Sequence, residues 1–224
     1  MNPIASFLLL VVLALPASAD NYIAVNAAGW VDATPDMLTL SVSARATGKD
    51  VPALQRQVDT LVQRVVTAAG KSGIAEEDID SSRLSVRPEY QWVDGKRNYL
   101  GQTVQREVVM VLRELDRYGG LMEALSRFDL EEVRPPQLGH SQLKELELQA
   151  LEAALANGFV KARRIATGID ADLGDVLRVE EQGTAPGQPM ARMMAAESAG
   201  AGGPQVQFGK QRISTTVSMR FAIR

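Results

Sequence analysis

The chain has no cysteine among its 224 residues and a single histidine, His140. The first absence excludes thiol nucleophiles, thiolate zinc sites and thiol redox switching within this chain. An exported protein of this length can do without disulfides, because its core is large enough to hold without them. The second absence leaves one imidazole for proton transfer near neutral pH, where histidine is the usual recruit. Neither sign of charge dominates, with 27 acids against 24 bases, and no basic stripe marks a nucleic-acid partner. Past the first twenty residues there is no apolar run of the roughly 20 residues that a membrane-crossing helix needs. Aromatic residues are also scarce, at 5%, so Trp30, Tyr90 and Trp92 stand out as a small set that could line a ligand groove or a subunit contact. Packing in the core or at its rim is the plainer use of such rings.

The start of the chain carries the strongest signal. An apolar core from Phe7 to Leu15 is followed by Pro16 and the small-residue triplet Ala17-Ser18-Ala19 before Asp20, which has the form of a signal-peptidase site. That core is too short to span a bilayer, and no positive charge follows it to stop transfer. The n-region Met1-Asn2-Pro3 departs from the usual pattern by lacking Lys or Arg. Cleavage after Ala19 is the expectation, leaving residues 20–224 with the same formal charge of −3, since no charged side chain is removed.

Residues Tyr22 to Ala28 and Met37 to Ala46 alternate apolar with polar and read as strand, bent where Gly29 and Pro35-Asp36 interrupt it. From Asp50 the period lengthens: Val51, Leu54, Val58, Leu61, Val62, Val65, Val66 and Ala69 describe an amphipathic helix capped by Asp50, with Pro52 in its first turn and Gly70 or Gly73 as its stop. After the acidic turn Glu76-Glu77-Asp78, Asp94-Gly95 separates the extended runs Ile79 to Val93 and Asn98 to Leu112, a hairpin signal. A second helix is expected from about Asp116, with Leu121, Met122, Leu125 and Phe128 inward and Gly119-Gly120 weakening its first turns. Glu131 to Gly139 reads as a short strand that Pro135-Pro136 would confine to a sheet edge.

The longest helix is expected from Ser141, in position to cap it, to about Thr167. Ala150, Ala154, Gly158 and Ala162 form a ridge of small residues beside Leu151, Leu155 and Phe159, and such ridges let a neighbouring element come close. A coiled-coil register from Leu143 would put Asn157 in the seam, so the pattern favours a helix packed on a sheet. Gly174 to Glu181 and Arg212 to Ile223 read as strands, and Gln182 to Pro204, rich in Gly, Ala and Pro, reads as a long loop. The sum is an α+β protein with largely antiparallel sheets and helices on one side, in the order βαββαβ followed by αββ. One sheet or two lobes, at about 20–140 and 141–224, both satisfy the pattern.

These segments, taken in order, resemble the SIMPL-domain family, also called DUF541, of the periplasmic immunogenic protein type. The resemblance runs through Ala28-Gly29 with Val31 and Pro35-Asp36, then Asp78-Ile79, Leu84-Ser85-Val86 and Pro88-Glu89-Tyr90 before the hairpin. It continues through Val109-Met110-Val111, Leu115-Asp116 and Gly119, Ala150 to Ala154, Lys161-Ala162 and Leu173-Gly174 with Val176, and closes on Val217, Met219 and Phe221. Asn157-Gly158 and Arg134-Pro135-Pro136 depart from the family's usual residues. The resemblance implies a periplasmic or outer-membrane-associated protein, some relatives of which self-assemble into large rings, with a loose link to oxidative-stress tolerance. It supplies no catalytic residues to carry over.

The chemistry-bearing residues agree with that gap. His140, at a loop-to-helix junction, has no converging partners in the sequence and reads as a capping or surface residue. No G-x-S-x-G elbow or phosphate loop is present. Glu76, Glu77 and Asp78 could pair as acid and base or hold calcium, but as a contiguous run at a turn they read as a solvated surface. Met190, Met193 and Met194 offer soft thioether ligands suited to Cu(I), against the plainer reading of a short amphipathic turn laid on an apolar surface. No catalytic, cofactor-binding or metal-binding residue is assigned. The expected function is that of a non-enzymatic envelope binding or scaffold protein, a homo-oligomer that could also hold an envelope partner through its sheet edges and the 182–208 loop. The alternative is an envelope enzyme with a site built from carboxylates and arginines.

Overall fold

The computed structural model describes residues 21–185 and 208–224. In chain order they form strands β1 (Tyr22–Ala33) and β2 (Met37–Gly48), helix α1 (Val51–Lys71), strands β3 (Ile79–Val93) and β4 (Lys96–Leu112), helix α2 (Tyr118–Leu125), strands β5 (Glu132–Val133) and β6 (Gln137–Gly139), helix α3 (Leu143–Gly168), and strands β7 (Leu173–Ala185) and β8 (Gln211–Ile223). The expected α+β class with antiparallel sheets is what the chain adopts. Its elements form two sheets, one ordered β1-β8-β7 and the other β3-β4-β2-β5, with β6 also paired to β2. What read as a single bent strand is two strands in different sheets, divided at Thr34–Asp36.

Two compact units result. The larger comprises Trp30–Ala150 with the described part of Thr184–Ser214. Its spine is the antiparallel ladder of β2 with β4, running without a break from Leu38 opposite Leu112 to Gly48 opposite Gln102. Because strand side chains alternate, Leu38, Leu40, Val42 and Ala44 of β2 and Val104, Val108, Met110 and Leu112 of β4 share one buried face. Helix α1 covers it with Leu54, Val58, Val62, Val65 and Ala69, at the three- and four-residue spacing of a single stripe. Asp50 caps this helix, its side chain accepting from the Ala53 backbone N–H at 3.1 Å, and Pro52 sits in the first turn where no N–H is needed. Helix α2 adds Leu121 and Leu125 to the same core.

The strand expected over Glu131 to Gly139 does lie at the edge beside β2, but it is broken in two. Pro135-Pro136 divides the expected strand into β5 and β6, both pairing with β2, since proline cannot supply a ladder N–H. A carboxylate then ties this edge to the approach of α3. Asp36 donates its backbone N–H to the Gly139 carbonyl, and its side chain accepts from the Ser141 N–H at 2.8 Å and from the Ser141 hydroxyl. Ser141 therefore spends its hydroxyl on Asp36 rather than capping the helix as expected, and α3 begins two residues later at Leu143. The Ser141 hydrogen bond is the main reason the Asp36 carboxyl titrates below its ordinary value.

The smaller unit comprises the described residues up to Gly29, Leu151–Gly183 and Thr215–Arg224. Ile23, Val25 and Ala27 of β1 and Val217, Met219 and Phe221 of β8 form one buried face, covered by Ala154, Ala162 and Ala166 of α3. The small-residue ridge does what its spacing implies: a Cβ placed on Gly158 would lie 2.5 Å from the Met219 sulfur and 3.4 Å from the Ala27 methyl. Beside the ridge, Phe159 meets Phe221 edge-on with centroids 6.1 Å apart. On its other flank, Asn157 and Lys161 each donate to a backbone carbonyl of β1, those of Ala28 and Asn26, at 2.9 Å. Strand β7 runs on to Ala185, so residues 182–185 are strand where a loop was expected, and the rest of the expected loop lies outside the described residues.

Two tests follow from this packing. Gly158→Leu should destabilise the protein by about 1–3 kcal/mol, the usual cost of forcing extra atoms into a filled interface, read as a lower urea midpoint at unchanged slope; an unaltered midpoint would show the ridge is not packed. The Asp36 carboxyl has a folded-state pKa below the roughly 3.9 of an unfolded aspartate, so its stabilisation is complete above that value and fades as pH falls through the folded one. Asp36→Ala should accordingly be less stable than wild type at neutral pH, with the gap narrowing as pH falls through the lowered folded-state value. A gap of constant size across an acid titration would remove the carboxylate from the account.

Candidate functional site

Strands β3 and β4 continue past the end of the sheet that they help to build. The last pair of the β2–β4 ladder is Gly48 with Gln102, whereas β3 and β4 stay paired out to Val93 with Lys96. The residues from Tyr90 to Leu100 thus form a two-stranded arm with no third strand beside them among the described residues. A bulge marks its root: Glu89 opposes Gly101 and Tyr90 opposes Tyr99, leaving Leu100 as the extra residue. Gly101 is required there, because its φ of 139° is one that side-chain-bearing residues rarely adopt and a Cβ on it would sit 2.2 Å from the Gly48 carbonyl oxygen. At the tip, Asp94 and Gly95 have φ of 50° and 72°, the two positive values of the tight hairpin turn that Asp-Gly favours.

Cross-strand partners share a face, so Tyr90, Tyr99, Trp92 and Arg97 are grouped on one side of the arm. Tyr90 and Tyr99 meet edge-on with centroids 5.5 Å apart, the Arg97 guanidinium lies 3.5 Å above the Tyr90 ring, and Gln102 donates to the Tyr99 hydroxyl at 3.0 Å. These contacts hold the rings in place without hiding them: Trp92 is 71% exposed, and Tyr99, Leu100 and Val93 are exposed as well. Rigid, amphipathic rings at the end of a ribbon present contact area at low entropic cost. Of the aromatic set seen in the sequence, Tyr90 and Trp92 belong to this arm; Trp30, at 50% exposure, lies instead beneath Arg212, 5.1 Å from its ring centroid. Tyr99 and Leu100 were not singled out from sequence; Gly101 inside an alternating run, which was not read as a bulge, is the signal that could have found them.

The polar face of the larger sheet carries carboxylate and arginine groups bonded to one another. Arg45 bridges Glu131 at 2.7 Å and Glu89 at 3.1 Å, and its pKa is raised chiefly by the hydrogen bond to Glu131. Thr103 donates to Glu89 at 2.9 Å and meets Thr47 at 3.0 Å. Glu107 accepts from Arg83 at 3.2 Å and from Arg134 at 2.7 Å. These side chains are partly solvated, so each pair adds about 0–1 kcal/mol, and their charges are neutralised locally.

The remaining candidates fall elsewhere. His140 is buried rather than at the surface, with Nε2 3.1 Å from the Gln211 side-chain oxygen. Of the acidic run, Glu76 and Glu77 are exposed as expected. Asp78 is not a free surface group: it accepts two hydrogen bonds from Arg113, at 2.8 and 2.7 Å, which hold its carboxyl below the usual value. Met190, Met193 and Met194 lie outside the described residues. Among the described residues, no group of three or more His, Asp or Glu is placed to hold a metal ion. An open groove of about 820 Å³ runs between α1 and α2, lined by Gln63, Thr67, Ala124 and Phe128 among others, with Arg64 stacked 4.7 Å from the Phe128 ring centroid. The stripe patterns of the two helices gave no sign of it, because a groove is made by the spacing of elements rather than by either one.

Comparison with known proteins gives this arrangement its family. The Uncharacterized protein YggE of Escherichia coli (strain K12) is 32% identical over 180 residues, covering 80% of this chain and 73% of that protein. The YggE protein of Edwardsiella ictaluri is 31% identical over 159 residues, covering 70% and 66%. The 26 kDa periplasmic immunogenic protein of Brucella melitensis is 25% identical over 176 residues, covering 76% and 70%. The family model described as SIMPL: Protein of unknown function (DUF541) matches residues 23–221. With that match running from the first strand to the last, the chain is a member of the SIMPL (DUF541) family.

Proposed function

We propose that the protein is exported to the periplasm, loses residues 1–19 on the way, and acts there as a self-associating binding or scaffold protein rather than as an enzyme. The observation that carries this reading is the arm of β3 and β4, which holds Trp92, Tyr99, Leu100 and Val93 out to solvent beyond the end of β2. Apolar side chains gathered on a projecting element are the mark of a contact surface. The printed name of the Brucella relative supports the compartment, and no helix among the described residues is long and apolar enough to cross a membrane. In this reading the arm engages a second copy of the chain or an envelope partner, and any link to oxidative-stress tolerance runs through what is bound. A carboxylate- and arginine-based catalytic site would fall on the polar face around Arg45, where each charge already has a partner.

Light scattering on the purified protein at micromolar concentration tests the reading. A defined mass several times that of one chain without residues 1–19 is expected. The double substitution Trp92→Ser and Leu100→Ser, at exposed positions, should lower that mass while leaving the far-ultraviolet circular dichroism unchanged. A strict monomer throughout the concentration range would overturn the proposal.

A further inference from the structure

Among the described residues, the sheet edges are not treated alike. The β1 edge is closed by Asn157 and Lys161, which bond its outward carbonyls. Beside β2, the edge is interrupted by Pro135-Pro136. Strand β3 carries Pro88 and a register shift between Asp80 and Arg83. Bulges, prolines and capped carbonyls are the usual devices against stray strand pairing. Strand β7, at the end of the β1-β8-β7 sheet, has none of these from Leu173 to Gln182, and it exposes Val176, Leu177 and Val179.

The direction of its free backbone groups follows from its pairing with β8. Asp172 and Arg224 exchange both backbone hydrogen bonds, at 2.9 and 3.0 Å, and Thr215 donates to Glu181 in the same register. In an antiparallel ladder the residues alternate in direction, so the even-numbered residues bond to β8. The odd-numbered residues Leu173, Asp175, Leu177, Val179 and Glu181 then turn their N–H and C=O groups to the open edge.

We propose that β7 pairs antiparallel with β7 of a second copy of this chain, about a two-fold axis at Val179. This rests on the reading of the protein as self-associating and names one surface through which copies join. Charge selects the register. An axis at Val179 sets Val179 against Val179 and places Arg178 of each copy opposite Glu180 of the other, twice. An axis one residue earlier sets Arg178 against itself. An axis at Leu177 sets Arg178 against Val176 and Glu180 against Gly174. Within one chain Arg178 already bonds Glu180 along the strand, so both groups lie on one face, ready to exchange partners across the axis. Opposite charges facing across strands stabilise the pair and like charges oppose it, so the residues that discourage random pairing specify this one.

The test uses the protein of residues 20–224 carrying Arg178→Glu or Glu180→Arg. Each variant alone faces like charges at both positions and should weaken self-association about tenfold or more, seen as a fall in mass by light scattering. Mixing the two in equal amounts restores opposite charges across the axis and should restore the mass; an effect confined to one chain would not respond to mixing. As a second measurement, Val179→Cys should form a disulfide-linked dimer on mild oxidation, since paired residues lie about 5.5 Å apart between Cα atoms and the chain has no other cysteine. An assembled wild type, with variants of unaltered mass or with a mixture that fails to recover, overturns the β7 contact and leaves the wider reading standing. A monomeric wild type overturns both.

Discussion

The first and last strands of the chain lie side by side, and the smaller unit depends on that pairing. Neither β1 nor β8 can bury its apolar face alone. Together they offer Ile23, Val25, Ala27, Val217, Met219 and Phe221 to one side, a continuous surface that α3 can cover. Closing so long a loop costs little more than closing a shorter one, because the entropic penalty grows only with the logarithm of length. Burial of the two strand faces repays it, at about 1.5–3 kcal/mol for each large side chain removed from water. The alanines of α3 and Gly158 supply little apolar area themselves. Their contribution is to let the helix backbone come near enough for the strand side chains to be covered.

The larger unit solves the same problem locally. Strands β2 and β4 and helix α1 are near neighbours in sequence, and their stripes and alternations match without help from distant segments. This self-sufficiency lets the β3–β4 hairpin run past the core. The arm owes its order to turn chemistry at Asp94-Gly95, the bulge at Leu100 and the rings of Tyr90 and Tyr99. The exposed rings are affordable because the fold does not depend on burying them. Among the described residues, the β3–β4 arm runs past its sheet and β7 lacks the prolines and capped carbonyls found at the β1, β2 and β3 edges.

Much of this was legible in the residues. The capping of α1 by Asp50, the hairpin turn, the edge position of the Pro135-Pro136 segment and the small ridge of α3 are local or periodic features, each decided by backbone chemistry within a few residues. Other features were missed because their partners are remote. Asp78 read as solvent-facing until Arg113, on a different element, was brought to it. His140 read as a capping or surface residue, although it is buried with its Nε2 against Gln211. Ser141 read as a helix cap, but Asp36 competes for its hydroxyl from over a hundred positions away.

By itself, then, the sequence determined helix or strand along most of the described chain and which face of each element is apolar, since propensity and periodicity act over a turn or a strand, while several ends moved: α3 starts at Leu143 rather than Ser141 and β7 runs on to Ala185. Only the tertiary structure decided that β1 leaves β2 for β8, which edges are closed, and how far the β3–β4 arm runs beyond its sheet. Those outcomes depend on which apolar faces fit together across the whole chain, and alternation along a strand says which side is buried without saying what will bury it.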